Sequence, residues 1–196
     1  LLADGPKPSG MRSSSFNTNN SPPDSAKSQE TFTMDSLIRK LTEFLNILNS
    51  HGVDPEIVNQ IFKQLYYFIG ATTFNNLVLR KEMCNWSKGI ELRFNISLLE
   101  QFIRDSRLQD SGACETLEPI IQTCQLLQSR KTDADIKSIC EMCSKLTIAQ
   151  IQRILFLYTP VDSYEEKLTR QFIDKVANNL KEIRKLELNT EQQILI

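Results

Sequence analysis

The stretch FKQLYYFIGATTFNNLVLRKEMCNWSKGIELRF, Phe62 to Phe94, decides how the rest of the chain is read. Ile61, Phe62, Leu65, Phe68 and Ile69 follow the i, i+3, i+4 rhythm of a helix with a wide apolar face. Asn75 and Asn76 interrupt an otherwise apolar end, Phe74 to Leu79. The pattern predicts a hub helix, buried on most sides, against which shorter amphipathic helices pack. It ends in a basic pair, Arg80-Lys81, and the single tryptophan, Trp86, follows. Around Trp86–Gly89 the pattern breaks, and Ile90–Phe94 alternates over too few residues to specify a strand.

Upstream, Asp54-Pro55-Glu56 marks the start of that helix. Asp caps, Pro fits the first helical position, and Glu suits the positive end of the dipole. Before it, Leu37, Ile38, Leu41, Phe44, Leu45 and Leu48 form one stripe of a first helix from about Met34 to Ser50, with Gly52 placed to end it. The lone histidine, His51, falls in the turn with no ligand-spaced partner. Downstream, Ser97-Leu98-Leu99-Glu100 reads as a capping box opening a short helix. A helix over Glu115–Gln128 carries Ile120, Ile121, Cys124 and Leu127, provided Pro119 lies in its first turn. Asp133 is placed to cap a helix bearing Ile136, Ile139, Cys140 and Cys143. Thr147-Ile148-Ala149-Gln150 is a second capping box, and its helix stops before Pro160. A final helix runs from about Thr169 to Lys185 on Phe172, Ile173, Val176, Leu180 and Ile183. With no hairpin turn and no strand–helix–strand alternation, the fold class is all-α, with about seven helices.

The 196 residues suit one domain with a tail, and the net charge of −1 gives no global field for nucleic acid or an anionic membrane. No apolar run approaches the ~18 residues of a membrane span, and no basic-then-apolar leader is recognised. Five cysteines, an odd number set within helical patterns, favour a reducing, intracellular setting over a disulfide framework. Residues 1–31 are rich in Ser, Pro, Asn and Gly. They are expected to form a disordered linker, leaving 32–196 as the helical domain. Within the linker, Arg12 precedes Ser13, Ser14, Ser15 and Phe16. An arginine three residues before Ser15 suits a basophilic kinase, and a phosphate there adds roughly −1.5 to −2 charges.

Little in the chain points to catalysis. Cys140-x-x-Cys143 has half the spacing of a zinc site but lacks a second pair, so the two thiols are expected in the core. No phosphate-binding glycine loop and no nucleophile or metalloprotease motif is present. The acidic residues Asp133, Asp135, Glu165 and Glu166 fit caps and solvated faces. Neither catalytic residues, nor a metal, nor a cofactor is expected. A helical enzyme ranks far behind a binding module.

QLYYFIGATTFNNLVLRKEMCNWSKGIELRFNIS, SGACETLEPIIQTCQLLQ and SICEMCSKLTIAQIQRILFLYTPVDSYEEKLT, in that order and spacing, resemble the dilute-type cargo-binding region in the globular tail of class V myosins. KPSGMRSSSF and TFTMDSLIRKL extend the resemblance toward Lys7. The resemblance implies an elongated helical bundle and places the chain at the connecting loop and most of the second of two subdomains. A first subdomain and a C-terminal extension then lie outside it, and the surfaces that face them are expected to be exposed and prone to self-association. Partners implied are cargo adaptors, Rab-type small GTPases, the myosin motor head in an intramolecular fold-back, and actin indirectly, without nucleic acid or membrane insertion. The setting implied is cytoplasmic, on transport vesicles and the actin cytoskeleton. Two basic positions used for docking on the head correspond to Lys81 and Arg153. A GTPase-facing aromatic and glutamine correspond to Phe94 and Gln128; the family often has Tyr at the first, and Phe94 lacks that hydroxyl. The Arg12–Phe16 segment resembles a loop phosphorylated to release cargo. A dilute-type domain of an afadin-like junction scaffold is the alternative within the same fold.

Overall fold

The computed structural model describes residues 33–160 and 167–194, with side chains as far as Lys185, all within one compact unit, Phe32–Ile196. Ser13, Ser14, Ser15 and the rest of the 1–31 segment lie outside the described residues, as do Glu165 and Glu166.

Seven α-helices make up this part, joined by short 3₁₀ turns and without strands among the described residues. Helix α1, Met34–Ser50, is fixed at both ends by local chemistry. The Thr33 hydroxyl accepts from the Ser36 N–H (3.2 Å), and the Ser36 hydroxyl accepts from the Thr33 N–H (3.1 Å). At the other end Gly52 takes φ 65°, letting its N–H reach Asn49 O (3.0 Å) and the Val53 N–H reach Leu48 O (3.1 Å). This double bond pattern closes the helix as a Schellman turn. His51 is the C-cap residue at that turn.

Helix α2, Pro55–Leu79, begins where expected, with Asp54 Oδ1 accepting from the Glu56 N–H at 2.8 Å. Its buried line is Val58, Phe62, Tyr66, Gly70, Phe74 and Leu77. The expectation of a helix buried on most sides is corrected here: Phe68 is 66% exposed and Tyr67 60% exposed. Phe68 lies two residues from Tyr66, about 200° around a 3.6-residue turn, so when Tyr66 points inward Phe68 points out. Tyr66 is fully buried and donates its hydroxyl to Leu99 O (3.0 Å), while Phe62 stacks on Phe102 with centroids 5.8 Å apart.

Helix α3, Trp86–Asp105, corrects a second expectation. No break occurs at Gly89 and no new helix opens at Ser97. Asn85 is the true cap, its Oδ1 accepting from the Lys88 N–H at 2.9 Å. The Ser97 hydroxyl donates back to Phe94 O (2.7 Å), and Glu100 pairs with Arg93 (3.1 Å) rather than returning to a capping serine. Helix α4, Glu118–Gln128, follows a 3₁₀ turn at Cys114–Leu117 and tolerates Pro119 in its first turn. It buries Ile120, Ile121, Gln122, Thr123, Cys124, Leu126 and Leu127, and it packs on α2 and α3. The helix buried on most sides is therefore this short one.

Helix α5, Ile136–Met142, is preceded by a 3₁₀ turn that Thr132 caps, with Asp135 closing the box; the expected cap, Asp133, instead pairs with Lys175. Cys140 and Cys143 are buried in the core. Helix α6, Ile148–Leu157, starts at the Thr147–Gln150 box and buries Ile151, Ile154, Leu155 and Leu157. Helix α7, Arg170–Ile194, runs past the expected end at Lys185 and packs on α5 and α6. Its Arg184 donates to Cys143 O (3.1 Å) and Leu146 O (2.6 Å), holding the α5–α6 turn against it.

Candidate functional site

The end of α2 leaves carbonyls that no further helical N–H can satisfy. Arg80 is extended (φ −119°, ψ 111°), and Lys81–Met83 form a 3₁₀ turn beneath it. Leu77 O is taken by the Arg80 N–H (3.3 Å) and by the Cys84 thiol (3.4 Å). Val78 O is taken by Arg153 Nε from α6, at 3.2 Å. A guanidinium at the negative end of a helix dipole is well placed electrostatically.

This bond carries Arg153 to within three residues of Lys81 on the α2 side, although 72 positions separate the two in sequence. Both side chains are exposed, and neither forms an ion pair among the described residues. The edge is braced underneath: the Thr159 N–H donates to Cys84 O at 2.8 Å, tying the exit of α6 to the turn after α2. Burial pushes the Cys84 thiol up to about 11, with the Arg153 guanidinium opposing, so Cys84 stays protonated.

The second pair lies on the packed layer of α3 and α4. The Gln128 side chain donates Nε2 to Cys124 O (3.1 Å) and lies against Gly89, where a Cβ would come 3.3 Å from Gln128 Cγ. Phe94 is five residues further along α3, about 7.5 Å by helical rise, and is 62% exposed. Phe94 is carried by α3 and Gln128 by α4, two helices that pack on each other. Trp86 and Ile90, exposed at 47% and 39%, precede Phe94 at four-residue steps and form one apolar line with it. The sequence reading breaks the pattern at Trp86–Gly89 and so misses that line; its i, i+4, i+8 spacing is the available signal.

Burial raises the thiols of Cys124 and Cys143 to about 12, and those of Cys114 and Cys140 are raised as well. No group of His, Cys, Asp and Glu able to hold a metal occurs among the described residues. No described helix is long and apolar enough to cross a membrane. An arginine held by Val78 O, an exposed lysine beside it and exposed aromatics on α3 are groups suited to recognition.

Comparison with known proteins agrees. The DIL domain family model matches residues 60–162, more than half of the chain. Unconventional myosin-Va of Gallus gallus is 48% identical over 179 residues, which is 91% of this chain and 9% of that protein. Unconventional myosin-Vb of Homo sapiens is 42% identical over 193 residues, 98% of this chain and 10% of that protein. Among solved structures, the yeast myosin 5 cargo binding domain superposes with a TM-score of 0.70 at 28% identity, over 79% of this chain and 40% of that one. The globular tail domain of Myo2 in complex with Mmr1 gives 0.69 at 29% identity, over 79% and 40%. The chain thus spans about a tenth of the length of these myosins and two-fifths of the solved domains. It belongs to the DIL domain family, in the form found in the globular tails of class V myosins.

Proposed function

We propose that this chain is a non-catalytic, cargo-binding part of the tail of an actin-based class V-type myosin, working in the cytoplasm on transport vesicles. The observation that carries the reading is the 48% identity to unconventional myosin-Va across 91% of the chain. The solved Myo2 tails with Mmr1, Inp2 and Smy1 support adaptor proteins as its cargo-side partners. That identity also favours the motor over a junction scaffold.

Three finer roles belong to the same reading. Lys81 and Arg153 form the edge that docks on an acidic site of the parent motor head and holds it off. Two exposed cations at one edge, one of them held by Val78 O, suit a contact that is weakened by salt. Phe94 and Gln128, on the α3–α4 layer, contact Rab-type small GTPases. Phosphate on Ser13, Ser14 or Ser15 regulates cargo release. The GTPase role is tested by pull-down with nucleotide-locked GTPases. The triphosphate-locked form of at least one should bind the full-length protein and lose most binding to Phe94→Asp. Binding that ignores both nucleotide state and Phe94 would remove the assignment.

A further inference from the structure

Helix α4 stops at Gln128 without the device that closes α1. The chain leaves it extended at Ser129 (φ −67°, ψ 155°), and no left-handed residue such as Gly52 follows. The last four carbonyls of a helix have no partner within it, here those of Leu126, Leu127, Gln128 and Ser129. The side chains of Ser129 and Lys131 satisfy three of them. The Ser129 hydroxyl donates to Leu126 O (2.9 Å), and the Lys131 ammonium donates to Leu127 O (3.0 Å) and to Ser129 O (2.7 Å). The same ammonium stands 3.8 Å from the centre of the Tyr158 ring. Tyr158 is buried and ends α6. One cation thus meets the negative end of a helix dipole and the face of a buried ring, and it pins the exit of α4 to the exit of α6.

Gln128 is the last residue of α4. Its side chain bonds to Cys124 O and lies against Gly89, so its position depends on how firmly the last turn is held. A helix end closed by side-chain bonds frays when those bonds are lost. We propose that Lys131 is a positioning residue: its ammonium closes α4 at Gln128 and holds that glutamine in place for the partner that contacts it. This role rests on the GTPase-facing reading of Gln128. A side chain already in place spares the ordering cost that a mobile one meets on binding. Methionine at position 131 would keep an apolar stem and lose the two hydrogen bonds and the charge over Tyr158 together.

The test uses the full-length protein and two readouts. Hydrogen exchange reads the clamp without any partner: Lys131→Met should speed exchange of the peptide spanning the last turn of α4 about tenfold, and Lys131→Arg, which keeps the cation, should change it little. Unchanged exchange in Lys131→Met overturns the clamp. Binding is then titrated with the Rab-type GTPase that the pull-down selects, loaded with a non-hydrolysable GTP analogue. Lys131→Met should weaken it about fivefold in the wild-type background and less than about twofold in Gln128→Ala, because a residue that acts through Gln128 has nothing left to position. An equal loss in both backgrounds overturns the positioning role. Binding that ignores both Gln128→Ala and Phe94→Asp removes the GTPase reading instead, while the exchange measurement still decides the clamp.

Discussion

Gly89 sits one turn into α3, close against Cys124, Leu127 and Gln128 of α4. Replacing it with alanine sets two effects against each other. Helix propensity alone favours Ala over Gly by about 1 kcal/mol at an interior position. The added Cβ, however, would stand 3.0 Å from Leu127 Cβ, 3.2 Å from Cys124 O and 3.3 Å from Gln128 Cγ. The first two belong to the rigid backbone region of α4 and cannot rotate away; only the Gln128 chain can. Overpacking of this kind costs about 1–3 kcal/mol. The clash exceeds the propensity gain, and Gly89→Ala should destabilise the protein by about 1–2 kcal/mol. Gly70, on α2, is the matched control. Its Cβ would meet Leu117 Cδ2 and Thr116 O, both at 3.3 Å, and the first is a side-chain terminus that can shift. There the two effects nearly cancel, and Gly70→Ala should stay within about 1 kcal/mol of wild type. Urea unfolding followed by circular dichroism, compared at equal m, reads both. A Gly89→Ala protein more stable than wild type would show that α3 and α4 are not this close, and the layer carrying Phe94 and Gln128 would need rebuilding.

Three further outcomes follow from named contacts. Gln122 is buried; its Oε1 accepts from the Lys145 N–H (2.8 Å) and its Nε2 donates to Ser144 Oγ (3.1 Å), so Gln122→Leu should lose about 2 kcal/mol by stranding the Lys145 N–H, measurable by the same unfolding assay. Arg107 ends α3 at φ 57°, a region that penalises any side chain, so Arg107→Gly should be neutral to about 1 kcal/mol more stable in thermal melts. The Cys84, Cys124 and Cys143 thiols, raised from 9.0 to about 11, 12 and 12, should resist thiol reagents at pH 8 while half-buried Cys114 reacts first. Their contribution to stability is complete below pH 9 and lost as pH rises toward 12, since unfolded thiols ionise first; replacing all three with Ala should flatten that decline.

What could be read from sequence was local. The Asp54–Pro55 start, the Thr147–Gln150 box and the Gly52 stop each depend on groups within a few residues, and the chain alone displays them. The errors came where distant packing decides. Ser97-x-x-Glu100 has the letters of a capping box, but α4 lies along α3 through that point and keeps it helical, with Glu100 drawn to Arg93. Phe62, Leu65 and Phe68 fit one helical stripe on paper, yet the partners around Tyr66 select the line through Val58, Gly70 and Phe74 and turn Phe68 outward. The role of α4 as the most enclosed helix was invisible because Gln122 and Thr123 read as polar surface. Resemblance supplied Lys81 and Arg153 individually. Their common edge depends on a bond from Arg153 to Val78 O across 75 residues, which no local pattern encodes.

The central claim is that this edge holds a motor head. The most direct measurement is the actin-activated ATPase of the full-length protein with Lys81→Glu and Arg153→Glu together, at low salt, where the wild type should be inhibited. The double variant should run at the uninhibited rate while its tail stays cooperatively folded, melting a little below the wild type because Arg153→Glu removes the bond to Val78 O and sets an anion at the C-terminal end of α2. An inhibited double variant, switched off as fully as the wild type, would contradict the account.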